Sequence, residues 1–184
     1  MIPIGYMAKR SCEKPPGLGL LQVNDIYSVN SCVNDDFADY VDYWKHNGYW
    51  FFDSPEIIQT LAEENSIDLE GTKLFYYEAY EFDFNGQGWQ TFSPWGEIPV
   101  RVAVPAEKKL EGFDVVTIWV ENSPDPEHSP LSCNALAEKI PTNSHCLIES
   151  LEEAKAALNA GKFAGNDPGC QRIFAVYSVD WPIV

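Results

Sequence analysis

The chain has 184 residues, of which 45% are hydrophobic and 22% charged, a composition that suits a folded protein and disfavours disorder. Its formal net charge is −16 and its pI is near 4.3, which argues against nucleic acid or an anionic membrane as partner, because phosphate binding needs clustered Lys and Arg. No run of about 18 apolar residues is present to span a membrane, and MIPIGYMAKR lacks the long apolar core of a secretory signal.

Residues 1 to 17, with Pro3, Pro15, Pro16 and Gly17, read as an irregular arm. Leu18 to Val29 is a predicted strand, on the apolar weight of Leu21, Val23 and Ile26, and Asn30 to Asn34 is a polar turn. Asp35 to His46 is the best helix. Phe37, Tyr40, Val41 and Trp44 recur at i, i+3, i+4, i+7 and should be buried. Asp35, Asp39 and Asp42 fall on the opposite, exposed face. Asn34 suits the cap and Gly48 the stop.

Ser54-Pro55 opens a second helix that ends near Asn65. Thr72 to Phe84 reads as a strand, with Leu74, Tyr76, Tyr80, Phe82 and Phe84 on one face and Phe75, Tyr77, Glu81 and Asp83 on the other. Asn85-Gly86 signals a hairpin into Trp89 to Ser93. Ile98 to Val104 alternates like a strand, and Phe113 to Val120 is apolar enough to be a central one. Three prolines make Glu121 to Pro130 a loop. Leu131 to Ile140 should be a short helix and His145 to Ile148 a brief strand. Ser150 and Glu153 form a capping box for a helix through Asn159. Arg172 to Val179 is the last predicted strand.

These elements predict an α+β fold: a mixed, largely antiparallel sheet of about five to seven strands, with three or four helices packed on it. Residues 1–184 read as a single domain; if two lobes exist, they divide near 105–130.

Charge and rings coincide. Between Asp25 and Asp83 there are fourteen Asp or Glu and only two Lys, Lys45 and Lys73. Seventeen of the twenty-five aromatic residues fall between Phe37 and Trp95. Solvated acidic faces ordinarily carry few large rings, so the coincidence points to a recognition surface or to a core under an unusually acidic skin. Asp35, Asp39 and Asp42, with Tyr43 beside them, are the candidate docking residues: the charges steer and the ring anchors. A solvated helix face is the plainer alternative.

Candidate chemistry is sparse. Glu78, between Tyr76, Tyr80 and Phe82, could be a carboxyl with a raised pKa or could simply bond a tyrosine hydroxyl. Cys133 or Cys146 could pair with His128 or His145 and Asp114 as nucleophile and base; inert buried thiols are the alternative. Zinc ligands usually come in pairs two to four residues apart, which Cys12, Cys32, Cys133, Cys146 and Cys170 do not offer. The expectation is therefore no metal, no cofactor and five reduced thiols in a cytoplasm. The leading functional expectation is a non-enzymatic protein-binding domain that docks or neutralises a basic protein. The alternatives are a small hydrolase-like enzyme with a Cys or Glu in a ring-lined pocket, and a sheet platform for a small ligand.

Overall fold

The structure is a computed structural model; it describes residues 1–10, 12–13, 19, 22–29, 49, 51–91, 102–118, 126–165 and 169–182. The helix expected over Asp35–His46, with Asp35, Asp39, Asp42 and Tyr43, lies outside these residues. Along the described chain come β1 (Ile2–Arg10), β2 (Cys12–Glu13), β3 (Asp25–Ile26), α1 (Pro55–Asn65), β4 (Thr72–Phe84), β5 (Trp89–Thr91), β6 (Lys109–Ile118), β7 (Pro126–His128), α2 (Pro130–Cys133), a 3₁₀ turn (Leu136–Glu138), α3 (Leu151–Asn159) and β8 (Cys170–Val179). Six strands make one sheet in the order β1-β4-β8-β6-β7, with β5 pairing β4; β2 and β3 form a separate ladder. The α+β class holds. Among the described residues every strand pair is antiparallel, so the sheet is not mixed there.

The first ten residues depart most from expectation. They form the outermost strand, β1, rather than an irregular arm. Proline is tolerated at a sheet edge, where no inner ladder needs its missing N–H. Gly5, at φ 135°, sits where the β1–β4 register shifts after Pro3, and the bulge absorbs the irregularity. Tyr6 then exchanges backbone hydrogen bonds with Phe52 on the outer side, at 2.8 and 3.1 Å.

β4 and α1 match their expected bounds. Ser54 precedes Pro55 in extended conformation, and Ser66 closes α1 in the left-handed region, its N–H reaching back to Ala62 and Glu63 carbonyls. The alternation of β4 places Tyr76 against Tyr6 and Tyr177, while Phe75 and Tyr77 meet Tyr27 and Phe51 on the other side. Both faces are therefore covered, which explains a strand with so little exposed area. Past a register shift between Ala79 and Asp83, Tyr80 and Phe84 turn to Trp89 of β5. Asn85 makes the turn: its Oδ1 accepts from the N–H groups of Gln87 and Gly88.

Other expectations shift. Within Leu18–Val29 only Asp25–Ile26 enters a ladder among the described residues, against Cys12–Glu13. Val102–Val104 is not a strand; the rest of the strand expected over Ile98–Val104 lies outside the described residues. Part of the Glu121–Pro130 loop is β7, whose Pro126 takes the first position of an edge strand, where it is harmless. The helix expected over Leu131–Ile140 breaks in two, with Ala135 at φ 53° between the pieces. His145–Ile148 contributes a single bridge, Ile148 to Phe113. β6 starts at Lys109 and β8 at Cys170, each earlier than expected. Ser150 caps α3 by accepting from the Glu153 N–H.

β6 and β8 divide the core. Phe113, Val115, Ile173 and Ala175 pack with Leu158 of α3, Leu131 and Phe163. Val116, Phe174 and Val176 join the rings of β4. Gly112 of β6 allows Leu147 and Ile148 to lie against the strand: a Cβ there would sit 2.7 Å from Leu147 Cβ, and its φ of +143° disfavours any side chain. Among the described residues no helix is long and apolar enough to cross a membrane.

Candidate functional site

Two groups of charged side chains meet the segment Asp25–Val29, one partly exposed and one buried. Backbone bonds first lay the segment along residues 144–145: Asn24 N–H donates to Ser144 O at 2.9 Å and Tyr27 N–H to His145 O at 3.2 Å. Side chains then meet above it. His145 Nδ1 lies 2.5 Å from Asp25 Oδ1, and the imidazole stacks on Tyr27 with centroids 4.0 Å apart. Lys73 of β4 donates to the Tyr27 hydroxyl and lies 3.4 Å from Asp25 Oδ2. On the other side His145 Nε2 is 3.7 Å from Glu111 Oε2, and Ser178 Oγ donates to Glu111 Oε1 at 2.5 Å.

Burial alone would raise the Asp25 carboxyl, but the bonds from His145 and Tyr27 and the charge of Lys73 outweigh it and hold the group below its ordinary value. Glu111 behaves alike: burial raises it, while Ser178, Lys109 and His145 together bring it lower. The result is a partly exposed row, Ser178–Glu111–His145–Asp25, in which the imidazole is set between two carboxylates. The imidazole is hydrogen-bonded to Asp25 only, and Glu111 stands 3.7 Å from its other nitrogen.

Glu78 lies on the opposite face of the sheet. Its companions are not Tyr80 and Phe82, which turn away past the register shift, but Tyr76 and Tyr177, whose hydroxyls donate to it at 3.2 Å. Lys108 Nζ is 2.5 Å away and sits over the Tyr177 ring at 4.2 Å. Burial pushes the Tyr177 hydroxyl up to about 12, with the Glu78 charge adding to it. Glu78 is thus a satisfied acceptor with its own cation beside it.

A third group is buried. Lys9, on β1, is 2% exposed and donates to the Ser28 and Val29 carbonyls at 2.8 and 2.7 Å. Asp114, on β6, is 1% exposed; its Oδ2 accepts from Ser129 Oγ at 2.6 Å and Val29 N–H at 2.9 Å. Among the described residues its Oδ1 and the Tyr77 hydroxyl have no hydrogen-bond partner. Burial raises Asp114 to about 6 despite those bonds and the charge of Lys9.

Among the cysteine and histidine candidates, Cys146 lies near Asp114 and Cys133 rather than beside a histidine base. His145 faces Asp25, whereas its neighbour Cys146 is 1% exposed and its thiol is pushed up to about 12, by burial first and then by Asp114. Asp114 therefore disfavours a thiolate instead of orienting a base. Cys133 is exposed at the end of α2, and His128 lies on β7. Among the described residues no group of His, Cys, Asp and Glu is arranged to hold a metal. Native-state alkylation at about pH 8 is expected to modify Cys133 at least about tenfold faster than Cys146, since the thiolate is the reacting form. Peptide mass spectrometry over time checks this; equal rates would mean that Cys146 is open to solvent.

Asp25, Tyr27, Glu111 and Ser178 were not legible as a group, nor was Lys9 with its acceptors, because residues distant in sequence meet only in the fold. One signal was present: a lysine closing the apolar run of β1 needs buried acceptors. No protein-family model, curated protein or solved structure matches this chain.

Proposed function

We propose that the chain is a non-enzymatic, cytoplasmic protein-binding domain that docks or neutralises a basic protein. The observation that carries this reading is where the positive charges go. Apart from Lys139 and Lys162, every described Lys and Arg is engaged within the chain. Lys9 and Arg10 bond backbone carbonyls. Lys73, Lys108, Lys109, Lys155 and Arg172 each meet a carboxylate. A net charge of −16 is then displayed with few competing cations among the described residues. Such a field speeds encounter with a basic surface and repels nucleic acid. The state of Glu78, His145 and Cys146, each paired or buried, supports binding over thiol or carboxylate catalysis.

Asp35, Asp39, Asp42 and Tyr43 remain the proposed docking residues on the strength of their helical phase. The test begins with capture of partners and their identification by mass spectrometry. Basic proteins should be retained at about 0.05 M salt and released at about 0.5 M, where exposed charges are screened. Replacing the three aspartates by Asn should slow association, and Tyr43→Ala should speed dissociation. Retention that ignores salt, or an unchanged association rate in the folded triple variant, overturns the reading.

A further inference from the structure

A groove of about 440 Å³ lies between the start of α1, residues 103–107 and residues 179–182. It is within the size range of ligand pockets. Its wall is fixed by Tyr6, whose hydroxyl donates to the Ala103 carbonyl at 2.7 Å. Val104, Pro105 and Pro182 supply apolar lining, and Val104 is 54% exposed. Three carboxylates, Glu56, Glu107 and Asp180, share the same groove and are exposed. The nearest lysines in sequence do not neutralise them, because Lys108 is held by Glu78 and Lys109 by Glu111.

We propose that this groove receives an arginine or lysine side chain presented by the basic partner. Such a side chain has two parts, an aliphatic stem and a charged head. The stem would lie along Val104, Pro105 and Pro182, and the head among Glu107, Asp180 and Glu56. Acidic residues alone would make any cation welcome; the apolar lining favours a cation carried on a hydrocarbon stem. The assignment rests on the basic-partner reading and gives it an anchoring point beyond Asp35, Asp39, Asp42 and Tyr43.

The experiment is a titration of ¹⁵N-labelled protein with a capped octapeptide of alternating Arg and Gly, followed by amide shifts. A second peptide carries citrulline, which keeps the stem and removes the charge. Shifts are expected at residues 103–107 and 179–181 with the Arg peptide, and binding should weaken about five- to tenfold in Glu107→Gln/Asp180→Asn, each exposed pair contributing modestly. Both side chains are exposed, so an unchanged melting temperature verifies the fold. The citrulline peptide should bind at least about fivefold more weakly. Shifts confined to other surfaces, or equal binding of the two peptides, overturn the groove assignment. If the double variant still captures basic proteins as the wild type does while the peptide misses the groove, the assignment falls and the basic-partner reading stands. If the peptide seats in the groove yet no basic protein is captured, the groove stands and the wider reading falls.

Discussion

Arg172→Ala is expected to destabilise the protein by about 3–5 kcal/mol, the range for removing one partner of a buried ion pair. Arg172 meets Asp83 through two parallel bonds, Nε to Oδ1 at 2.7 Å and a terminal nitrogen to Oδ2 at 2.9 Å. Both residues are under 10% exposed. Without the guanidinium, the Asp83 carboxylate is left in the interior with its charge uncompensated. The pair also spans β4 and β8 just past their register shift, so its fork geometry pins the resumed ladder. Replacing both residues by apolar ones of similar volume, Arg172→Met with Asp83→Leu, should recover most of the loss. Urea denaturation of the three variants decides. A loss under about 1 kcal/mol in the single variant would mean that water reaches Asp83 and the pair behaves like a surface one.

The second large effect depends on pH. Asp114 has a folded-state pKa of about 6 against an ordinary 3.8, so the fold prefers its protonated form. Below about pH 4 both folded and unfolded chains carry the proton and nothing is lost. As pH rises through about 6, the unfolded chain ionises freely while the folded one ionises against burial, and stability falls by about 3 kcal/mol. Asp114→Asn cannot ionise. Its stability relative to wild type should therefore improve by about 2–3 kcal/mol between pH 4 and pH 7.5, whatever other carboxylates contribute, since those are common to both proteins. Asn keeps an acceptor for Ser129 and the Val29 N–H. Unfolding free energies of both proteins across this range check it; parallel pH curves would show that Lys9 and its neighbours already offset the burial of the charge.

Local signals were readable wherever the chain decides its own shape. Ser54-Pro55 fixed the start of α1, Asn85-Gly86 the hairpin, and Ser150 with Glu153 the start of α3, because each acts within four residues. Alternation in Thr72–Phe84 was equally plain, since both faces of that strand are buried and ringed. Signals failed where a neighbour overrides the local preference. Pro3 looks like a breaker until β4 supplies one ladder and leaves the other edge open. Ala135, in the left-handed region, breaks a segment whose composition alone reads as helix. The ionic groups were hidden for a related reason. Glu78 was legible as a carboxyl among tyrosines, but Tyr177 arrives from β8 and Lys108 from just before β6, and Asp25 finds His145 120 positions away.

The placement of β8 carries a consequence for how the protein is made. It is the last strand along the described chain, yet it lies in the middle of the sheet, between β4 and β6. On the ribosome β4 emerges roughly a hundred residues before β8 is complete, a wait of about 5–20 s at usual elongation rates. Until β8 arrives, β4, and β6 once it is made, have no strand between them and present open edges, the kind that pair wrongly with other chains. Sheet closure must then be a late, long-range event, which slows folding and makes the nascent chain a natural client for holding chaperones.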